Sequence, residues 1–344
     1  MHIVVLCGGL SNERDVSLTS GAMVAAALRK KGHRAVLIDV FFGCTVPYSD
    51  PAEIFDRPYD DSVTAIGENV PDLAALRAMR PDGGDGLVGP GVLEICRAAD
   101  IVFMAMHGEE GENGKLQAMF DVLGICYTGC GYLGSAMAMN KGVAKALFRE
   151  AGIRTPEGVT VNKYAPEQDA PCFPCVVKPR SGGSSVGTSV VYDPADYRAA
   201  LELAFRYEDN VIVERYIKGR ECDVGVLAGR ALPVIEICPK SGFYDYRNKY
   251  QAGLTDEYCP ADLPAGTTEK LQRAAETVFR ALMLEVYARM DFIVDADGDV
   301  YCLEANTLPG MTPMSLLPQE AAAVGMCYED LCETILRESL KKYE

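Results

Sequence analysis

The segment from Arg289 to Asn306 constrains this chain more than any other, because two runs of strand-forming residues flank Asp297-Gly298. Asp-Gly between such runs is a strong signal for a two-residue hairpin turn of type I′, whose central residues both need positive φ. With that turn, Asp291 stands opposite Glu304 and Arg289 opposite Asn306, all on one face of the sheet. Two carboxylates about 5 Å apart repel by about 3 kcal/mol at an effective dielectric near 20. A hairpin that keeps such a pair needs a cation beside it. Asp, Glu and Asn oxygens suit Mg²⁺ completed by phosphates and water. The alternative, which the geometry favours less than the metal, is a lysine or arginine lying between the acids on a solvated face.

Composition narrows what that hairpin can serve. At roughly 150 residues per domain, 344 residues make two or three domains. Basic residues number 33 against 49 acids, a net charge of −16. Such a chain repels phosphate backbones and anionic membranes, so neither nucleic acid nor a membrane is expected as partner, and an anionic ligand must meet local positive groups. No apolar run approaches the roughly 18 residues of a membrane span, and the first residues lack a basic leader. Thirteen cysteines, an odd number at scattered spacing, fit buried thiols in a reducing cytoplasm better than a disulfide framework. A cytoplasmic, multidomain protein is expected.

Periodicity orders the rest. Strands at residues 3–7, 35–40 and 100–106, with a helix over 17–30 stopped by Gly32, open a parallel α/β domain. Residues 41–90, rich in Pro, Gly and Asp, read as a surface excursion carrying one helix near 71–79. A helical stretch over 132–151, interrupted at Asn140, precedes strands near 159, 175–178, 188–192 and 211–214 and a helix over 194–205. Strands at 222–227 and 232–237 follow, then a polar loop over 239–260, a helix over 269–282, the hairpin, and helices near 314–324 and 328–341. The expected domains are 1–130, 131–217 and 218–344.

The loop Arg180-Ser181-Gly182-Gly183-Ser184-Ser185-Val186-Gly187 joins two of these strands. Its glycines let backbone N–H groups turn toward an anion, and its serines add donors. No Gly-Lys-Ser/Thr end leads into a helix, so it is not a Walker A loop. It suits a flap over phosphates or, alternatively, a plain linker. Lys141 at a helix start and Lys178 on a strand before the loop could supply positive charge to a triphosphate. Glu214 and Glu221 could accept from an adenine amine and ribose hydroxyls.

Two other classes leave weaker traces. Cys172-Phe173-Pro174-Cys175 has redox or metal-thiolate spacing, but Cys175 enters a strand and no second such pair completes a zinc site. Gly8-Gly9 after the first strand and Asp39 ending the second are faintly like a dinucleotide-binding unit, without its G-x-G-x-x-G.

Seven motifs in order resemble the D-alanine–D-alanine ligases, a family with the ATP-grasp fold. They are Gly8-Gly9-Leu10-Ser11-Asn12-Glu13-Arg14-Asp15-Val16-Ser17; His107-Gly108 with Gly111-Glu112-Asn113-Gly114; Asn140-Lys141; Gly183-Ser184-Ser185-Val186-Gly187; Tyr244-Asp245-Tyr246 with Lys249-Tyr250; Arg289-Met290-Asp291; and Glu304-Ala305-Asn306-Thr307-Leu308-Pro309-Gly310-Met311-Thr312. The resemblance implies a Rossmann-like parallel α/β domain, a central lid domain and a C-terminal mixed-sheet domain. It implies ATP-dependent joining of two D-alanines through an acyl phosphate, for peptidoglycan precursors, by a homodimer. Asp291, Glu304 and Asn306 would hold two Mg²⁺ ions, with Mn²⁺ a possible substitute. Lys141, Lys178, Ser185, Glu214, Glu221 and Lys249 would bind ATP. Glu13, beside His107, would take the first D-alanine's ammonium, and Ser184 and Tyr250 would hydrogen-bond with Glu13 and close the loops. Arg289 and the Gly310 N–H would form an oxyanion hole, and Ser315 and Leu316 would meet the second substrate. Asn140, Asn113 and Glu109-Glu110 depart from the family's usual residues without removing a metal ligand or phosphate lysine. Lys249-Tyr250 is the form similar to dipeptide-forming members, which favours D-alanine as second substrate, with D-serine the alternative.

Overall fold

The computed structural model describes residues 1–44, 46–59, 67, 71–165, 169–240, 249 and 253–344. Tyr250 and Tyr244-Asp245-Tyr246, singled out above, lie outside the described residues. The first strands are continuous apolar runs, which only a sheet covered on both faces can bury. Accordingly β1 (His2–Cys7), β2 (Arg34–Asp39) and β3 (Ile101–Met104) are parallel in the order β2-β1-β3, with Ile3 through Leu6 fully buried. The crossover helix Arg14–Lys30 starts three residues before the expected position and ends where Gly32, at φ 88°, lets the His33 N–H reach back to Leu28. Within 41–90, Arg80 is buried against the Phe41 ring and donates to the Val88 carbonyl and Asp82, tying the excursion to the sheet.

The next sheet is antiparallel, in the order β4 (Gly158–Asn162), β7 (Asn210–Arg215), β5 (Cys175–Pro179), β6 (Ser189–Val191). Asn140 separates the helices Tyr132–Met139 and Lys141–Glu150 because its side chain accepts the Val143 N–H and caps the second helix. The third sheet runs β11 (Thr255–Tyr258), β10 (Ile235–Pro239), β8 (Gly219–Leu227), β12 (Tyr287–Asp295), β13 (Val300–Asn306), with β9 (Arg230–Ala231) paired to β8. The helix Ala265–Ala281 lays Leu271, Ala275 and Val278 on one face of it. β11 falls inside the stretch expected to be loop, since Thr-Asp-Glu-Tyr has no apolar alternation to betray a strand.

The last helix, Tyr328–Leu340, packs on Arg14–Lys30 and joins the first core through Leu331, Ile335 and Leu336. Three ion pairs line that contact: Lys30–Glu329 at 2.9 Å, Lys31–Asp330 at 2.5 Å and His33–Glu333 at 2.7 Å. The two ends of the chain are thereby closed on each other. The loop after β13 then lies against the first unit, where Ser20 Oγ meets the Met311 N–H at 3.4 Å.

The hairpin forms with the expected pairing at the site but by a different route. Arg289 pairs with Asn306 and Asp291 with Glu304, while beyond them Phe292 pairs with Cys302 and Val294 with Val300. The turn is longer by one residue than a type I′ turn: Asp295 bonds to Asp299 and only Gly298, at φ 76°, has positive φ. Asp295 Oδ1 accepts from the Asp297 and Asp299 N–H groups, the chemistry of a three-residue turn. A bulge between Asp291 and Phe292, which leaves Leu303 unpaired, restores the register. Two one-residue departures cancel, and the acids still face each other.

Candidate active site

Three neighbouring strands place three acids in a row. Asp223 on β8 is opposite Asp291 on β12, which is opposite Glu304 on β13. Cations do lie between them. Arg289, two residues before Asp291 and so on its face, donates from Nε to Asp291 Oδ1 at 2.8 Å and from Nη2 to Oδ2 at 2.9 Å, and its Nε also lies 2.9 Å from Asp223 Oδ2. Lys141 Nζ lies 3.2 Å from Glu304. Burial raises the Glu304 pKa, but Lys141, Lys178 and Lys249 together outweigh it and hold the carboxyl down to about 2. Asn306, one pleat beyond Glu304, accepts the Leu308 N–H at 3.0 Å.

The same lysine ties this row to the glycine-rich loop. Lys141 Nζ donates to the Gly182 carbonyl at 2.5 Å, and the Lys141 N–H donates to the Arg180 carbonyl. Ser184 and Ser185 sit at φ 47° and 58°, a conformation costly for residues with a Cβ. What holds Ser184 there is visible: its hydroxyl donates to Glu13 Oε1 at 2.5 Å. Glu13 directly precedes the helix Arg14–Lys30, so a loop of the second unit is pinned to the mouth of the first.

At the far end, burial disfavours the charge on Glu214, yet Lys145 Nζ at 2.9 Å and Lys178 Nζ at 2.7 Å keep its pKa below the ordinary value. Lys178 is held up by Glu214 and Glu304 against its burial, whereas burial wins at Lys145 and lowers its pKa. Burial raises Glu221 to about 7, with Lys249 opposing.

At the near end, His107 donates from Nδ1 to the Leu308 carbonyl at 2.8 Å, which leaves Nε2 to accept from Ser20 Oγ at 3.1 Å. Burial lowers its pKa, against the pull of Glu13 and the Leu308 carbonyl. Glu112 accepts the Gly108 N–H, and burial beside Glu13 raises it to about 8. Thr312 and Ser315 hydroxyls meet at 2.9 Å, and a Cβ on Gly310 would stand 2.8 Å from Ser315 Oγ, so a larger residue there would displace the Ser315 hydroxyl.

These groups line two joined cavities. One, of about 370 Å³, is bordered by Glu13, His107, Ser184, Arg289, Asn306, Gly310, Ser315 and Leu316. The other, of about 170 Å³, is bordered by Lys178, Ser185, Glu214, Glu221 and Asp291. Lys141, Lys249 and Glu304 line both. Every residue given a metal, ATP, substrate or catalytic role from the resemblance borders one or the other except Tyr250, which lies outside the described residues. Sequence reasoning missed Asp223 and Lys145, and named Glu112 only as part of a motif. Lys145 was accessible in principle, being four residues after Lys141 and so on the same helix face.

The weaker classes find no support in the geometry. All thirteen cysteines fall among the described residues and are free thiols, Cys175 fully buried. Asp39 is taken by Arg14 and by the N–H groups of Phe41 and Phe42, leaving it no ribose to hold.

A cleft between two antiparallel sheets, with lysines from one side and carboxylates from the other, defines an ATP-grasp ligase. Comparison with known proteins narrows this. The family described as D-ala D-ala ligase N-terminus matches residues 2–130, and D-ala D-ala ligase C-terminus matches residues 146–337. The D-alanine–D-alanine ligase of Lacticaseibacillus casei (strain BL23) is 44% identical over 350 residues, spanning 100% of this chain and 97% of that one. That of Pediococcus pentosaceus is 42% identical over 351 residues, spanning 100% and 99%. The crystal structure of the Bacillus anthracis D-alanine–D-alanine ligase complexed with ATP matches with a TM-score of 0.75 at 31% identity, over 99% of this chain and 98% of that one. The chain belongs to the D-alanine–D-alanine ligase family.

Proposed function

We propose that this chain joins two D-alanines to D-alanyl-D-alanine at the expense of ATP, the ligation that supplies the dipeptide of peptidoglycan precursors. The observation that carries this reading is the facing pair Asp291 and Glu304, with Lys141 bridging Glu304 to the glycine-rich loop. ATP occupies the smaller cavity, between units 131–217 and 218–344, its phosphates against Lys141 and Lys178, its adenine near Glu214 and its ribose at Glu221. The D-alanines occupy the larger cavity.

Glu13 takes the first ammonium, and its bond with Ser184 keeps the loop down while the substrate is held. The first D-alanine's carboxylate oxygen attacks the γ-phosphorus, the bond to the β-phosphate oxygen breaks and ADP forms. Lys141 and Lys178 act by placing positive charge along the phosphates. The second D-alanine's amine, having lost a proton, attacks the acyl carbon, and Arg289 with the Gly310 N–H stabilises the tetrahedral oxyanion. Inorganic phosphate then leaves. Ser315 and Leu316 hold the second substrate, and the closed loop keeps water from the acyl phosphate.

The donor set fits Mg²⁺. Asp291 and Glu304 are adjacent across the hairpin with Asn306 on the same face, all hard oxygen donors. Among the described residues no three His, Cys, Asp or Glu side chains form a metal cage of their own, so phosphates and water would have to complete the shell. Bound there, Mg²⁺ would neutralise charge on the triphosphate. No helix among the described residues is long and apolar enough to cross a membrane. A cytoplasmic location and a homodimer are what the family resemblance implies, and we propose both.

The test is phosphate release with ATP and Mg²⁺, comparing D-alanine alone with D-alanine plus D-serine or D-lactate, and products identified by mass. D-alanyl-D-alanine as the main product is expected. No phosphate release with D-alanine would overturn the reading.

A further inference from the structure

Asp223 belongs to no motif used so far, yet it is one of the most completely buried acids in the molecule, 1% exposed. β8 explains its placement: Cys222, Val224 and Val226 point into the core, so Asp223 points to the opposite face, where the cleft lies. Its Oδ2 meets Arg289 Nε at 2.9 Å, and its Oδ1 has no hydrogen-bond partner among the described residues. A buried carboxylate is tolerated only where a cation compensates it, and Arg289 is that cation.

Arg289 is shared. Asp291 grips its Nε and Nη2 with both carboxylate oxygens, and Asp291 is also a proposed ligand of Mg²⁺. Were Asp291 the only anchor, each gain of the metal would loosen the guanidinium when it must hold an oxyanion. Asp223 removes that conflict by position. β12 lies between β8 and β13, so Asp223 reaches Arg289 from the side away from Glu304 and is no competitor for the ion. Burial, and then Asp291 beside it, push the pKa of Asp223 well above the ordinary carboxylate value with Arg289 opposing, so what Asp223 supplies is the contact to Nε. Without Asp223, Asp291 is the remaining carboxylate on the guanidinium and is harder to recruit.

We propose that Asp223 is a positioning residue for the ligation: it anchors Arg289 from behind, so that Asp291 can serve the metal while the guanidinium stays aimed at the acyl oxygen. This rests on the functional reading above.

The test is Asp223→Asn, nearly isosteric and free of the charge. We expect kcat for dipeptide formation to fall by roughly 10- to 100-fold, the range for groups that orient a ligand without touching substrate. The Mg²⁺ concentration for half-maximal rate should rise several-fold, while the KM for ATP at saturating Mg²⁺ stays within about twofold. Arg289→Met supplies the control. If Asp223 acts through Arg289, adding Asp223→Asn to that variant lowers the residual rate by less than about twofold. Wild-type kcat and Mg²⁺ dependence in Asp223→Asn would overturn the proposal, as would losses that multiply in the double variant. Melting curves check folding, and Asp223→Ser is read by the same criteria should the asparagine variant not fold. If the wild-type chain makes no dipeptide, it is the functional reading that has failed. If it does and Asp223→Asn matches it, only the role of Asp223 has.

Discussion

Two buried ion clusters line the cleft, and their central groups are of opposite sign. In one Glu214 lies between Lys145 and Lys178; in the other Arg289 lies between Asp223 and Asp291. Each has one central group and two flanking groups of the other type, and in each burial works against the charge of one flank, lowering the pKa of Lys145 and raising that of Asp223. The flanks are basic where the reading places the nucleotide and acidic where it places the metal. On that reading, a protein with a net charge of −16 builds its anion site by burying lysines around a single acid, and not by spreading basic residues over a surface.

The harshest way to break this symmetry is to remove an acid from the metal end. Asp291→Asn and Glu304→Gln should each lower ATP-dependent phosphate release by more than roughly 100-fold with the melting curve retained, measured across a Mg²⁺ titration. Removing the centre of the lysine cluster comes next. Glu214→Gln leaves two buried ammonium groups facing each other and should cost about 3–5 kcal/mol in urea unfolding. Removing a flank instead should spare the fold: Lys145→Met leaves the pair Glu214–Lys178 intact. It should raise the ATP concentration for half-maximal rate roughly tenfold, equivalent to about 1.4 kcal/mol.

The mildest test concerns Glu320, on the helix Leu316–Ala323, which is fully buried behind the arginine cluster and accepts the Gly225 N–H on both oxygens, at 2.9 Å each. Burial raises its pKa to about 8 from 4.5. Between those values the folded chain keeps a proton that the unfolded chain gives up, so stability falls as pH climbs from 4.5 to 8 and levels off above. Glu320→Gln should therefore be more stable than wild type at pH 8.5, by at least about 1 kcal/mol, and lose that advantage near pH 5. Urea titrations at the two pH values measure it. Equal gains at both would show that Glu320 is ionised in the fold.

Much of this was legible before any coordinates. Asn140 reads as a break between helices because its side chain caps the second one locally, and Gly32 reads as a stop because the turn there needs positive φ. The facing of Asp291 and Glu304 follows from alternation around one turn, although the turn type assumed was wrong and a bulge repaired the count. β11 escaped because a polar strand has no pattern of its own; it is a strand only because β10 offers it hydrogen bonds. Helices Val92–Ala98 and Lys115–Leu123 also escaped, the second bounded by Gly114 and Gly124 and too short for its periodicity to stand out.

What the residue order determined by itself was local: which segments alternate, which side chains share a face, which acids and lysines exist to be used. Those depend on backbone geometry within a few residues. The choice of partners belonged to the tertiary structure. That Ser184 bonds Glu13, that Asp223 stands behind Arg289 and that Lys145 shares Glu214 with Lys178 are contacts across 171, 66 and 69 positions of chain. No local pattern encodes them, because each arises only when segments far apart in the chain pack together and exclude water from the charges between them.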